Sequence, residues 1–108
     1  MFEVFQPLRM FSAANGQDFL EFVNRCIKSD IFTIVVDLKN VNFMDSAGLA
    51  ALVTGLKRLR NNEGRLALCS LNGQARMLLE MTNMDTAFDI YTNLEEAKQS
   101  LSDPISQE

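Results

Sequence analysis

The sequence contains no histidine. The commonest general base at neutral pH and the commonest metal ligand are therefore both missing, which counts strongly against an independent hydrolase. Cysteine is scarce. Cys26 and Cys69 stand far apart in apolar surroundings, form no CxxC pair and have no histidine to complete a metal site, so both read as core residues. No stretch reaches the roughly 18 apolar residues of a membrane span. The N-terminus lacks the basic region and apolar run of a secretory signal, so membrane insertion is not expected and the chain is assigned to the cytoplasm. Positive charge is the minority sign, with 10 Lys and Arg against 14 Asp and Glu. Nucleic acid is thus not an expected partner, because phosphate backbones are held by concentrated Lys and Arg. The one basic cluster, Lys57, Arg58 and Arg60, reads first as a solvated helix face and second as a docking patch for an acidic partner.

What remains is a chain of 108 residues, 47% of them apolar, which suits one domain over 1–108 that folds alone. A domain of this length buries roughly two-thirds of its unfolded surface, so no metal, disulfide or cofactor is called for. Little room is left for both a core and a deep substrate pocket.

Strand and helix signals alternate along the chain. Phe2 to Leu8 reads as a short strand that Pro7 places at a sheet edge or at the strand's exit. Ser12 or Asn15 caps a helix running to about Lys28, with Phe19, Phe22, Val23, Cys26 and Ile27 at helical spacing. Ile31 to Leu38 is almost continuously apolar and rich in β-branched residues, as a covered central strand should be. Lys39 to Asn42 then turns the chain. A second helix carries Leu49, Leu52, Val53, Leu56 and Leu59 and ends at Asn61, Asn62 and Gly64. Arg65 to Ser70 is a strand, and Asn72 caps a helix with Ala75, Leu78, Leu79 and Met81 as inward candidates. A strand at 88–91 and a helix from Leu94 to Leu101, capped by Asn93, complete the pattern before a flexible tail at 102–108, with Ser102, Asp103 and Pro104 closing the helix. The class is α/β, a small mixed, mostly parallel sheet of about four strands with about four helices, the first strand free to pair in the antiparallel sense.

The segment Met44-Asp45-Ser46-Ala47-Gly48-Leu49 sets an acid beside a hydroxyl where a loop from a buried strand enters a helix. Ser46 is a candidate N-cap, and Gly48 keeps the approach to the first turn open. Unpaired N–H groups and the positive end of the helix dipole also suit an anion there, so a phosphate on Ser46 is locally tolerable. It would add about −1.5 to −2 charges beside Asp45, changing the surface while leaving the fold. A purely structural cap is the competing reading. No base or orienting group stands near Ser46 for acyl transfer, so no catalytic residue is assigned and the chain is not read as an enzyme.

Ile34 to Leu38 followed by Val41-Asn42-Phe43-Met44-Asp45-Ser46-Ala47-Gly48-Leu49 resembles the STAS domain of bacterial anti-sigma factor antagonists. The strand from Gly64 to Ser70, the helix around Gln74 to Met81 and the segment from Phe88 to Leu101 follow the same order. The resemblance implies a STAS-type fold and a partner-switching role. Ser46 would be phosphorylated by a GHKL-type serine kinase, often itself the anti-sigma factor, and dephosphorylated by a metal-dependent serine phosphatase. The unphosphorylated form would bind the kinase or anti-sigma factor. The implied partner surface comprises the loop after the first strand, then Asp45, Ser46, Ala47 and Gly48, and the outer helix face with Thr54, Lys57 and Arg58. Gln6-Pro7-Leu8-Arg9 departs from the family's longer opening hairpin, which predicts a short or missing first strand, and Ala47 leaves Ser46 as the single acceptor of the motif. A constitutive STAS subunit of a transporter or stress-signalling complex is the alternative. With the helix stripes assigned to the core, the free chain is expected to be a monomer.

Overall fold

The computed structural model describes residues 1–102, in the order β1 (Glu3–Phe5), β2 (Arg9–Phe11), α1 (Ala13–Lys28), β3 (Thr33–Asp37), β4 (Val41–Met44), α2 (Ser46–Arg60), β5 (Arg65–Cys69), α3 (Gly73–Met81), β6 (Asp89–Tyr91) and α4 (Leu94–Ser102). The expected tail at 103–108, with Asp103 and Pro104, lies outside the described residues, while Ser102 itself belongs to α4.

Four strands form the main sheet in the order β1-β3-β5-β6, and β2 pairs with β4 in a separate small sheet. Every one of these pairings is parallel, so the first strand does not take the antiparallel option. It is short but present, and it lies at the edge, where Pro7 at its exit removes no ladder donor. The sequence signal at 31–38 holds, since β3 is an inner strand.

The two sheets are joined by a bend. β1 and β3 run side by side, and their continuations β2 and β4 run side by side again, so one parallel ribbon is folded at 6–8 and 38–40. Asp37, the one buried charged residue among those described, fastens the bend. Its Oδ2 accepts from Gln6 Nε2 at 2.6 Å and its Oδ1 from the Lys39 amide at 3.1 Å. Arg9 turns the first chain with a left-handed φ of 66°, and its amide donates to the Asn40 carbonyl. The expected turn at 39–42 is therefore shorter than the pattern suggested, because Val41 and Asn42 already belong to β4.

Helices cover both faces of the main sheet. Ile34 and Val36 of β3 and Leu66 and Leu68 of β5 point into the larger cluster, with Phe19 and Val23 of α1, Leu52, Leu56 and Leu59 of α2, and Ala75 and Leu79 of α3. Val35, Ala67 and Cys69 point the other way, onto Ala97 of α4. Strands buried on both faces explain the unbroken apolar runs. One inward candidate fails: Met81, in the last turn of α3, is 75% exposed. The expected stop at Gly64 shifts too, since the left-handed residue after α2 is Glu63.

α2 packs tightly on α1 because Gly55 has no side chain. A Cβ there would stand 2.6 Å from Cε2 of Phe19, a ring with no exposed surface. Gly55→Ala gains about 1 kcal/mol in helix propensity but overpacks a ring that cannot retreat, at about 1–3 kcal/mol. A net loss of about 1 kcal/mol is expected in urea unfolding, with part of it recovered when Phe19→Leu is added. An unchanged midpoint would mean that the helices can separate.

Both cysteines are free and buried, as their surroundings suggested. Burial, then the nearby Asp37 charge, pushes the Cys69 thiol up to about 11. The folded state thus holds the thiol proton more tightly than the unfolded chain. The resulting stability is complete below the ordinary thiol value of about 9 and is lost as pH rises through it towards 11. The stability difference between the wild type and Cys69→Ala should therefore shrink between pH 8 and 11, and a difference constant with pH would contradict this origin.

Candidate functional site

The folded ribbon delivers the chain to the start of α2. β4 ends at Met44, Asp45 is extended at φ −105° and ψ −177°, and Ser46 is the first helical residue. The expected cap is thereby corrected. Asp45, not Ser46, is the N-cap, its Oδ1 accepting from the Gly48 amide at 2.9 Å. The extended backbone falls on Asp45 because its own amide continues the β2–β4 ladder, donating to the Phe11 carbonyl at 3.2 Å. A carboxylate is the stronger acceptor and also complements the helix dipole. Ser46 is left exposed, outside the cap.

Gly48 is buried against β2. A Cβ there would lie 2.8 Å from the Phe11 carbonyl carbon and closer still to its oxygen, so the strand backbone occupies the space a side chain would need. The approach expected of this glycine is thus a contact with β2, and it seats the first turn of α2.

The other predicted residues divide. Ala47 is exposed beside Ser46. Thr54 and Lys57 lie on the same side of α2, Thr54 half-buried and Lys57 exposed. Lys57 is 11 residues on, about 16 Å along the axis. Arg58 turns towards α1, its Nη1 donating to Asn24 Oδ1 at 3.2 Å. Arg60 donates to the Ala87 carbonyl at 3.0 Å, so the basic cluster does not present one patch. Ala47, Ala50, Ala51 and Thr54 line one wall of a shallow groove of about 290 Å³, with Gly16 and Leu20 of α1 on the other.

Two features escaped the sequence. The first is apolar: Met10 and Phe43, neighbours across the small sheet, are 47% and 44% exposed, and Leu8 and Met77 are also exposed. Apolar surface is thus left over on this part of the molecule. The second is a set of amide side chains around β4. Gln74 meets Met44 twice, its Oε1 accepting from the Met44 amide and its Nε2 donating to the Met44 carbonyl, both at 2.8 Å. Asn72 Nδ2 donates to the carbonyls of Val41 and Asn42 at 3.2 and 2.9 Å, while its Oδ1 caps α3 through the Ala75 amide. The sequence offered Asn72 as a cap, but nothing local linked Gln74 to a residue 30 positions away.

Residues 4–97 match the family model described as STAS domain. An anti-sigma F factor antagonist of Paenibacillus polymyxa is 37% identical over 60 residues, which is 56% of this chain and 51% of the relative. The match thus spans about half the length of that protein. A Thermotoga maritima protein provisionally assigned as an anti-sigma factor antagonist has a crystal structure that superposes with a TM-score of 0.84 at 26% identity, covering 93% of this chain and 86% of that one. The unphosphorylated form of SpoIIAA, an anti-sigma factor antagonist, superposes with a TM-score of 0.79 at 17% identity, covering 92% and 86%, a likeness of fold.

The cap can be tested on its own. Asp45→Ala should lower stability by about 1 kcal/mol, and Asp45→Asn, which keeps an acceptor, should recover most of it. Ser46→Ala should leave stability within about 0.5 kcal/mol in the same urea titration. If Ser46→Ala costs as much as Asp45→Ala, the hydroxyl takes part in the cap after all.

Proposed function

The chain belongs to the STAS domain family, and from that premise we propose that it is an anti-sigma factor antagonist, a partner-switching module controlled by phosphorylation of Ser46. The observation that carries this reading is the division of labour at the start of α2, where Asp45 makes the cap and the neighbouring hydroxyl stays exposed. A serine that held the cap would lose it on modification. Ser46 does not, so phosphate can come and go while the helix keeps its start.

The charge balance favours release on phosphorylation. The phosphate adds about −1.5 to −2 charges next to the Asp45 carboxylate. Lys57, about 16 Å along the helix, lies beyond the roughly 8–10 Å over which salt leaves charges unscreened, so it does not neutralise them. Unphosphorylated, the turn and the exposed side of α2 with Thr54 and Lys57, together with the exposed Met10–Phe43 pair, make a docking surface of mixed polar and apolar character for an anti-sigma factor that is also a GHKL-type serine kinase. Gly48 serves by seating the turn, and Arg58 flanks the surface. A metal-dependent serine phosphatase restores binding. An unpaired charge forced into that contact at about 2–3 kcal/mol lowers affinity roughly 30- to 150-fold, with no large conformational change.

Intact-mass and tandem mass spectrometry on protein from the native host should find phosphate on Ser46, absent from Ser46→Ala and removed by a serine phosphatase. Ser46→Glu should bind the anti-sigma factor at least 10-fold more weakly than Ser46→Ala. An unmodified Ser46 under growth and stress, in a chain that elutes within a stable complex, would favour the constitutive-subunit reading instead.

A further inference from the structure

The small sheet that presents the Asp45–Ser46 turn has only two strands, and a two-stranded unit is marginal without support. Its support comes from side chains rather than from a third strand. On the β4 side, Met44 turns its N–H and C=O to the Gln74 amide, which returns both hydrogen bonds at 2.8 Å as a neighbouring strand would. Asn72 takes the Val41 and Asn42 carbonyls. On the β2 side, Asn15 Nδ2 donates to the Met10 carbonyl at 2.5 Å while its Oδ1 accepts from the Ser12 amide. Met44 is two residues before Ser46, so the first residues of α3 hold the strand from which that turn springs.

We propose that Gln74 and Asn72 are positioning residues for Ser46: through Met44, Asn42 and Val41 they hold the Asp45–Ser46 turn in the one conformation that a kinase or partner recognises. This rests on the reading of Ser46 as the phosphorylated residue. Without the clamp, β4 keeps its bonds to β2 alone, and the turn opens locally while the main sheet stays closed. A partner that recognises only the closed turn then meets a smaller competent fraction, and its apparent affinity falls by that fraction.

Two variants separate this from general loosening of α3. Gln74→Met keeps the length and removes both bonds to Met44. Asn72→Asp keeps the cap on the Ala75 amide and replaces the donor to β4 by an oxygen that the Val41 and Asn42 carbonyls repel. Amide exchange followed by NMR should lose nearly all its protection at Asp45 and Gly48 in either variant, the closed turn falling about 10-fold in population, with Val35 and Leu68 unchanged. Leu78→Ala, which loosens α3 through packing alone, should not produce that pattern. With a GHKL-type anti-sigma serine kinase from the same host and ATP, each clamp variant should raise KM for Ser46 phosphorylation by about the same 10-fold, leaving kcat within about two-fold. Unchanged exchange at the turn in both variants, or the same loss of protection in Leu78→Ala, overturns the inference. So do variants that open the turn yet are phosphorylated as well as the wild type. A wild-type chain that the kinase leaves unmodified overturns the reading of Ser46 itself, and the exchange data then stand alone on whether the clamp holds the turn.

Discussion

The structure depends on how closely α2 can approach its neighbours. At its first turn, Gly48 lies against the backbone of Phe11, and two turns on, Gly55 lies against the ring of Phe19. Neither position has room for a methyl group. This seating brings β2 close enough for the Phe11 carbonyl to accept from the Asp45 amide, which holds Asp45 extended and makes it the cap. The identity of the cap, and hence the freedom of Ser46, follows from a backbone contact several residues away. Packing and local electrostatics are here one constraint.

The same constraint explains why a modification at this point need not disturb the fold. Helix starts attract anions, and the usual outcome is that an anion takes the free N–H groups. Here the Asp45 carboxylate already holds the Gly48 amide. A phosphate on the next residue would stand beside this carboxylate, while the cap takes only the Gly48 amide of the first turn. Under the proposed function, the added charge beside Asp45 would act on an approaching partner as a repulsive label.

Most of the main sheet and all four helices were legible in the sequence, because burial on two faces leaves unbroken β-branched runs and burial on one leaves a helical stripe. β2 and β4 were not. Arg9 and Met10 of β2 and Asn42 and Phe43 of β4 face solvent, so no continuous apolar run marks either strand, and Pro7 and Asn40 beside them look like ordinary turn residues. The site was legible in place but not in detail. Asp45 and Ser46 are both good cap formers, and which one caps depends on which backbone is extended, a matter decided by Phe11. Met81 misled because α3 buries only Ala75 and Leu79 deeply, and its last turn projects beyond the core. Gln74 was invisible, since a polar residue in a helix's first turn looks the same whether it faces water or grips a strand.

That last point bears on how such a site can be both stable and responsive. Parallel pairs are slightly weaker per residue than antiparallel ones and are normally found covered on both faces. A two-stranded parallel ribbon at the rim of a domain has neither that cover nor further strands to lean on. Amide side chains from Asn15, Asn72 and Gln74 occupy its free edges and thereby also keep another chain from adding to them. Each such bond contributes only about 0.5–1.5 kcal/mol net, so the ribbon stays the more easily opened part of the molecule while the sheet behind it is fixed by burial. Under the proposed function, the residues that a partner would grip and a kinase would reach lie on such a margin, held in one shape by a few hydrogen bonds and not locked into the core.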